Sequence, residues 1–402
     1  MMPEAARRKF FLKRVVATGL AGRFRAGPRR RMKRQETPPR RKALAAAVIT
    51  VAANYVYFLV FALFGFLKIL QAGPGATAGT IKPVLAVMGV AGITGSVAAA
   101  RWFSVERSGR MLVAGFAINA AAAALAWRGD GSAIFFPAAL LIGVGIGLTS
   151  VTLAGILRRA VGDARLGLSI GLGTGLAYGL CNLPAIFEAS GSAQAGIGLL
   201  ATAAGLVGAM RLDPRGPEAP EREGDYSRAG VIIWTVIFLV LVCFDSAAFY
   251  IIQHTPALKD DTWVGAWRLE LNAGVHVVTA LLAGWALDRQ RLGRTGFAGA
   301  GLLITASWLL NRQAGSTEAM LLYSSGASIY STALVFYPAR SLRPGVTAVI
   351  YAIAGWGGSA LGIGLAENRH ALPAWIIGTA AAILGLVLLA RWRLAGLARA
   401  AT

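Results

Sequence analysis

Long apolar runs, broken by short polar connections, recur along almost the whole chain. Most are close to or longer than about 18 residues, the length of helix that crosses roughly 30 Å of hydrocarbon. They lack the alternation of a barrel strand, and backbone groups in lipid must be bonded internally, so the pattern predicts helices. We predict twelve helices, at residues 43–69, 79–101, 110–127, 133–157, 165–186, 191–211, 229–253, 264–287, 294–311, 317–337, 344–366 and 371–391.

The longest polar interruption divides these helices into two groups of six. It runs from Arg211 to Gly230 and holds three prolines among alternating charges, a composition typical of a linker. We therefore predict an all-α polytopic membrane protein with twelve transmembrane helices in two six-helix bundles. Its predicted parts are a disordered basic leader at 1–42, a first bundle at 43–211, a linker at 212–228, a second bundle at 229–391 and a basic tail at 392–402.

Composition argues against an ordinary soluble enzyme, because 56% of the 402 residues are hydrophobic and only 14% are charged. The net charge of +22 is concentrated at the start, where residues 1–42 hold 15 of the 40 Lys and Arg. Aromatic residues are not interleaved with this charge as in a nucleic-acid-binding domain, so we expect no nucleic-acid partner. We expect the leader to lie near anionic lipid headgroups, and Met32 within it is a second candidate start of translation.

Basic residues are distributed unevenly between the two sides of the predicted membrane. With the amino terminus inside, 33 of the 40 Lys and Arg fall in the leader, linker, tail and loops of that side. Such an excess marks the cytoplasmic side of a helical membrane protein. We predict a multi-pass protein of the plasma membrane, the inner membrane of a bacterium, with both termini in the cytoplasm.

An internal repeat supports the division into halves. At an offset of 184 residues, Arg110 coincides with Arg294, Arg159 coincides with Arg343, and the Gly-x-Gly pair that begins at Gly171 coincides with a second such pair. The shared offset predicts a parallel repeat of two six-helix units.

The connection between the eighth and ninth predicted helices has a distinctive sequence. It reads GWALDRQRLGR, from Gly284 to Arg294, with Asp-Arg and Gly-Arg pairs at fixed distances from the first glycine. It resembles the signature loop of the major facilitator superfamily, which implies a transporter that works by alternating access. The resemblance also implies a latch between the halves, formed by Gly284, Asp288, Arg289, Gly293 and Arg294, with Gly109 and Arg110 in the first-half copy.

Asp288 is the most informative residue of this loop. It lies at the end of a predicted helix, where its carboxylate can meet a helix amino terminus or an arginine. The first-half copy has Ser104 in place of Asp288 and Ala100 in place of Gly284, so we expect two unequal latches. An ordinary basic turn is the alternative interpretation.

Glycines recur at every fourth position of the fifth predicted helix, at Gly167, Gly171, Gly175 and Gly179. A continuous face of small residues allows another helix to approach closely. The resemblance implies that helices 5 and 8, and helices 2 and 11, slide against each other across the halves. Static close packing is the alternative.

Ionisable groups within the predicted helices are the candidates for chemistry, since they are costly in a membrane and usually functional. Asp245 is the carboxylate placed deepest in a span, on helix 7, and His276 lies near the middle of helix 8. Helices 7 and 8 are joined by a short loop, so the two side chains could pair. They are candidates for a proton or substrate site, and a structural pair that joins two helices is the alternative.

Further polar residues share faces with these two or lie on helices that line the cavity of the resembling family. We include in the candidate substrate or proton site Arg268, Asn272, Tyr250, Gln253, His254, Asn54, Tyr330 and Lys68. Arg268 and Lys68 could attract an anion. The tyrosines and amides could shape a site for a small organic solute.

Several other classes of site lack a signal. The two cysteines, Cys181 and Cys243, are isolated within predicted helices, and metal-ligand spacing, a nucleotide-binding Gly-Lys loop and a nucleophile elbow are not found. We therefore predict no cofactor, no metal and no enzymatic activity.

The sequence predicts a secondary transporter that moves a small solute, with protons as the expected coupling ion and the lipid bilayer as its surroundings. The rival hypothesis is a non-transporting relative that assembles or delivers parts of a cofactor-bearing complex. The solute, the direction of transport and the oligomeric state do not follow from the sequence.

Overall fold

The computed structural model describes residues 41–73, 76–128, 132–213, 226–312, 316–367, 369 and 371–400. The predicted leader and most of the predicted linker lie outside the described residues. Within them the chain is helical and contains no strand, as predicted for an all-α protein.

Twelve long helices follow one another in the described part of the chain. They are α1 Arg41–Ala72, α2 Ala78–Trp102, α3 Val105–Arg128, α4 Phe135–Val161, α5 Leu166–Cys181, α6 Gly191–Arg211, α7 Arg228–His254, α8 Ala266–Asp288, α9 Leu292–Asn311, α10 Ser316–Ser341, α11 Pro344–Ala366 and α12 Ala374–Ala400. Short helices at Pro184–Phe187 and Pro256–Thr262 lie in the connections after α5 and α7.

Nine of the helices in the described residues are long and apolar enough to cross a membrane. The exceptions are α5, α9 and α12; α5 has 16 residues, fewer than the roughly 20 that a spanning helix usually needs. The polytopic helical class is therefore confirmed, and the full count of twelve crossings stays a prediction.

Two boundaries differ from the sequence prediction for local reasons. The fifth helix was predicted to reach residue 186 but ends at Cys181, because Leu183 is extended in front of Pro184 and a residue before proline disfavours helical geometry. The last helix continues to Ala400, nine residues past its predicted end at 391. Two helices also contain π-helical stretches, α1 over Tyr57–Gly65 and α11 over Ile350–Gly357.

The pattern of helix contacts recurs six helices later. In the first half α1 packs against α5, α2 against α4, and α3 against α4; in the second half α7 packs against α11, α8 against α10, and α9 against α10. Between the halves, α5 packs against α8 and α2 against α11. This recurrence agrees with the internal repeat in the sequence, and the two-bundle division stays a prediction.

Cross-helix contacts define two ends of the molecule. At the linker end, the last residues of α4, α8 and α10 lie with the starts of α5 and α7, as in the hydrogen bond from Arg343 to the Tyr226 carbonyl. At the far end, the end of α1 meets the connection after α5, and the start of α2 meets the end of α11 through the ion pair of Lys82 and Glu367.

Most of the buried apolar side chains form one large cluster that includes both halves and a second cluster within the first half. The larger cluster joins Leu153 and Ile170 to Trp234 and Tyr337, which are at most 3% exposed. The halves therefore share apolar packing as well as polar contacts.

Candidate functional site

Asp288 ties α8 to the start of α5. Its two carboxylate oxygens accept hydrogen bonds from the backbone amides of Gly167, at 2.6 Å, and Leu168, at 2.9 Å. The first amides of a helix have no partner within it and carry the positive end of the helix dipole, so a carboxylate there is stabilised. The structure thus gives Asp288 a helix amino terminus as its partner, one of the two possibilities predicted from sequence.

The glycine face of α5 lies directly against α8. A methyl group on Gly167 would meet the Gly284 carbonyl, and one on Gly171 would meet the Ala280 carbonyl; one on Gly175 would lie 3.3 Å from Val277 Cα. Because side chains would not fit here, the glycines permit the close approach that was predicted for helices 5 and 8.

Two glycines of α11, Gly358 and Gly362, lie against a helix of their own half. A methyl group on Gly358 or Gly362 of α11 would meet backbone of α7, in the same half. Contact between α2 and α11 instead places Trp356 against Gly92. The two interfaces between the halves are therefore built differently.

The remaining residues of the predicted latch lie in other environments. The guanidinium of Arg289 stands 3.5 Å from the ring centroid of Trp285 on its own helix, and Arg294 is exposed. Gly293 lies in the first turn of α9, Arg110 is exposed, and Gly109 has open space around it.

Ser104, which replaces the aspartate in the first-half copy, accepts a hydrogen bond from the Arg107 amide at 3.2 Å. It therefore caps its own helix α3. Among the described residues, Ser104 therefore makes no contact between the halves that corresponds to the contact of Asp288.

A second polar contact joins the halves at the linker end, and sequence reasoning missed it. Arg158, at the end of α4, donates to the Arg340 carbonyl of α10 at 2.8 Å and makes two hydrogen bonds to the Asp163 carboxylate, at 2.5 and 2.8 Å. Arg158 is 4% exposed. An arginine followed five residues later by an aspartate is the signal that the sequence offers.

Asp245 of α7 has one bonded and one unbonded carboxylate oxygen. Tyr330 of α10 donates its hydroxyl proton to Asp245 Oδ2 at 2.5 Å. Oδ1 is buried and has no hydrogen-bond partner among the described residues. Tyr323, two turns before Tyr330 on α10, lies close to the same carboxylate without the geometry of a hydrogen bond.

His276 of α8 is held by two helices. Its Nδ1 shares a hydrogen bond of 2.6 Å with Ser328 Oγ, and its ring stacks on Tyr178 of α5 with centroids 4.6 Å apart. The Tyr178 hydroxyl in turn shares a hydrogen bond of 2.9 Å with Ser331. His276 is therefore a buried contact between the halves.

Asp245 and His276 make separate contacts with α10 and no hydrogen bond or ion pair with each other in the described part of the chain. Tyr330 and Ser328 are two residues apart, about 200° around a helix of 3.6 residues per turn. They therefore point to opposite sides of α10, one toward α7 and the other toward α8. Asp245 and His276 therefore contact the same helix, α10, on opposite sides.

The predicted polar stripe of α8 faces α10. Ser324 donates to Asn272 Oδ1 at 2.5 Å, one turn from the contact between His276 and Ser328. Arg268, one turn further, donates to the Val264 carbonyl at 3.1 Å within its own terminal turn. Its position is at the far end of the stripe.

Two candidates on α1 have partners within the first half. Asn54 donates to Ser150 at 3.2 Å and accepts from Thr149 at 2.7 Å, both on α4. Lys68 donates to the carbonyls of Phe187, at 3.1 Å, and Ala189, at 2.8 Å, in the connection after α5.

The three candidates at the end of α7 lie close to the far end. His254 is exposed, and its ring stacks on the ring of Tyr250 with centroids 4.0 Å apart. Its Nδ1 lies 2.8 Å from the backbone carbonyl oxygen of Tyr250. Gln253 Nε2 is buried and has no hydrogen-bond partner among the described residues.

Aromatic rings fill the space between Asp245 and the far end. We call them the far-end aromatic cluster: Phe64, Phe187, Phe249, Trp263 and Tyr323. Neighbouring rings lie 5.1 to 6.4 Å apart, with Phe64 against Phe249, Phe249 against Trp263, and Trp263 against Tyr323. Since Phe64 and Phe187 belong to the first half, the cluster joins the halves.

The described residues contain no group of three His, Cys, Asp or Glu side chains that could hold a metal ion. Cys181 and Cys243 are free thiols.

Two solved structures share this fold over most of the chain. The crystal structure of the human organic anion transporter MFSD10 (TETRAN) has a TM-score of 0.60 at 12% sequence identity, with 87% of this chain and 100% of that chain covered. The crystal structure of FucP, a major facilitator superfamily transporter in the outward conformation, has a TM-score of 0.55 at 14% identity, with 88% and 98% covered. The sequence matches no protein-family model and no curated protein.

Proposed function

We propose that this chain, which has the fold of the major facilitator superfamily, is a secondary transporter that moves a small solute by alternating access. One observation carries the proposal, the position of Asp245 and His276. They belong to a polar cluster between the halves, and the halves contact each other both on the linker side and on the far side of this cluster. Asp288 and Arg158 join the halves at the linker end. The far-end aromatic cluster and the ion pair of Lys82 with Glu367 join them at the other end.

Alternating access requires that these two sets of contacts break in turn. The contacts at the linker end are hydrogen bonds to backbone groups at helix ends, which can be lost without unfolding a helix. The far-end contacts are ring contacts and one exposed ion pair, and exposed ion pairs contribute only about 0–1 kcal/mol. Neither set holds a helix of either half together, so both can break while each half stays folded.

Asp245 is the proposed site of proton coupling. A carboxylate with a buried and unbonded oxygen is destabilised, and a proton on that oxygen would remove the charge. The hydroxyl of Tyr330 holds the other oxygen in place. Protonation and release at this residue would link a proton gradient to movement of the solute.

The proposed location is the plasma membrane with both termini in the cytoplasm. The support is the excess of Lys and Arg in the leader, linker, tail and linker-end loops. The rival hypothesis of an assembly or delivery factor is not favoured, since both solved neighbours are transporters by their titles.

The first test is a thermal-shift screen of the detergent-purified full chain against a broad panel of solutes at acidic and neutral pH. A solute that binds only the folded protein raises the unfolding midpoint, and we expect that rise to be lost in Asp245→Asn or His276→Ala. In proteoliposomes, Asp245→Asn should abolish concentrative uptake of that solute driven by a pH gradient and retain exchange. Full concentrative uptake by the variant would remove proton coupling through this residue, and a stable partner protein without any solute would favour the assembly factor.

A further inference from the structure

The chemical class of the solute can be inferred from what surrounds Asp245. Its Oδ1 is buried and unbonded while Oδ2 is held by Tyr330. A buried charge without a partner is strongly unfavourable, so this oxygen favours a ligand that brings a positive charge or a hydrogen-bond donor. Oδ1 itself is buried in this conformation, so a ligand reaches it only after the contacts that cover it open.

Aromatic rings extend from this carboxylate toward the far end. Tyr323 faces Asp245 and packs against Trp263 at 5.9 Å, and Trp263 packs against Phe249 at 5.4 Å. Phe249 is one helical turn beyond Asp245, on the same side of α7. The faces of such rings attract cations, and their area attracts apolar substituents.

Two cations of the region already have carbonyl partners. Lys68 is bonded to two carbonyls of the connection after α5, and Arg268 is bonded to the carbonyl of Val264, just before α8 begins. Both lie near the far end, where Lys68 bonds the backbone of Phe187, a member of the far-end aromatic cluster.

The titratable groups that face Asp245 are tyrosines. They are Tyr323 and Tyr330 of α10 and Tyr178 of α5. In the described residues of α9, α11, α12 and the short helix Pro256–Thr262, which also pack against α7, no titratable side chain interacts with it. A tyrosine hydroxyl is neutral at physiological pH, so the carboxylate is the charge that a solute meets.

We propose that the solute is an organic cation with apolar substituents, which places its positive charge at Asp245 Oδ1 and its apolar groups against Tyr323, Trp263 and Phe249. This inference rests on the proposed function and specifies its substrate. Because one oxygen cannot hold a proton and a cation at once, the cation and the proton exclude each other at this residue. A transporter with this site would therefore exchange an organic cation for a proton.

The test uses two probe ions of the same shape and opposite charge. Tetraphenylphosphonium is a permanent cation, and tetraphenylborate is the matched anion. Binding of each to the purified full chain is measured by equilibrium titration in detergent. We expect tetraphenylphosphonium to bind, with a dissociation constant at least about ten-fold higher in Asp245→Asn and little changed in Asp245→Glu, which keeps the charge.

A second pair of variants tests the rings independently of the carboxylate. Tyr323→Phe keeps the ring and should bind tetraphenylphosphonium as the wild type does, whereas Tyr323→Ala should bind it several-fold more weakly. Equal binding to wild type and Asp245→Asn, or preference for tetraphenylborate at this site, would overturn the inference. Size-exclusion profiles establish that each variant is folded.

Failure of this inference is distinguishable from failure of the transporter proposal. If an anionic or neutral solute of the panel is taken up by proteoliposomes under a pH gradient, and Asp245→Asn loses that uptake, the cation assignment is wrong and the transporter stands. If tetraphenylphosphonium binds through Asp245 but neither an impermeant quaternary ammonium nor any panel solute crosses in any gradient, the site is right and transport is wrong.

Discussion

At the residue scale, the polar side chains that lie between the two ends of the molecule are connected through α10. Ser328, Tyr330 and Ser331 bond to α8, α7 and α5 respectively. A single helix thus sets the positions of side chains from both halves. Removing one hydroxyl from α10 should therefore affect a partner on another helix.

We predict that Ser328→Ala lowers the stability of the protein. The change leaves the Nδ1 of the 4%-exposed His276 without its partner, and an unsatisfied buried polar group costs about 1–3 kcal/mol. The midpoint of thermal unfolding in detergent measures this. Thr94→Ala is the matched control, because Thr94 is exposed and bonds only a carbonyl of its own helix; equal midpoints for the two variants would contradict the prediction.

At the element scale, α5 and α8 form an interface that depends on the absence of side chains. The backbone of α8 lies where Cβ atoms of α5 would be at Gly167 and Gly171. The amides of the first turn of α5 bond Asp288 next to this contact. Close packing and the carboxylate contact therefore support each other.

We predict that Gly171→Ala destabilises the contact of α5 with α8. The added methyl group would meet the Ala280 carbonyl and lie 3.1 Å from Gly284 Cα, and overpacking typically costs about 1–3 kcal/mol. The unfolding midpoint should fall. Gly274→Ala is the control on α8, since nothing lies within 4 Å of the added methyl group and alanine is the better helix former by about 1 kcal/mol.

If the midpoint of Gly171→Ala equals or exceeds that of Gly274→Ala, the close approach of the two helices is wrong. The comparison separates packing from helix propensity, because both variants replace glycine by alanine within a helix.

At the scale of the whole molecule, the halves are joined at both ends, and a conformational cycle must release one end at a time. The linker end has two separate polar contacts, through Asp288 and through Arg158. Substitutions there should shift the balance between conformations without unfolding either half.

We predict that Asp288→Asn favours opening at the linker end. Loss of the negative charge weakens the interaction with the start of α5 by up to about 2 kcal/mol, or roughly thirty-fold in a conformational equilibrium. Spin labels at the exposed positions Arg107 and Gly345, in a cysteine-free background, report the distance across this end by pulsed electron resonance. An unchanged distance distribution, equal to that of the exposed control Glu106→Gln, would count against the latch.

We predict that Arg158→Lys also opens the linker end, because lysine cannot reproduce the fork of bonds to Asp163 together with the bond to the Arg340 carbonyl. The same spin-label distance should lengthen, and more so when the variant is combined with Asp288→Asn. Arg110→Lys, at an exposed position, is the control. If the double variant behaves like Asp288→Asn alone, Arg158 has no separate role in closure.

Much of the fold and part of the site follow from the sequence by itself. Hydrophobic runs of membrane-spanning length place the helices to within a few residues, except at the end of the last one, because length and polarity are local properties. The four-residue spacing of Gly167, Gly171 and Gly175 predicts a face of small residues on one helix. The position of Asp288 at a helix end predicts that its carboxylate meets a helix terminus or a cation. These inferences need no knowledge of which helices are neighbours.

Tertiary structure decided the partners. Asp245 bonds Tyr330 and His276 bonds Ser328 because α10 lies between the helices that carry them. The contact of Arg158 with the Arg340 carbonyl joins residues far apart in the chain. Sequence spacing fixes the face of a helix on which a side chain lies, but the neighbour of that face depends on how the helices pack and rotate about their axes, and only the folded molecule sets that arrangement.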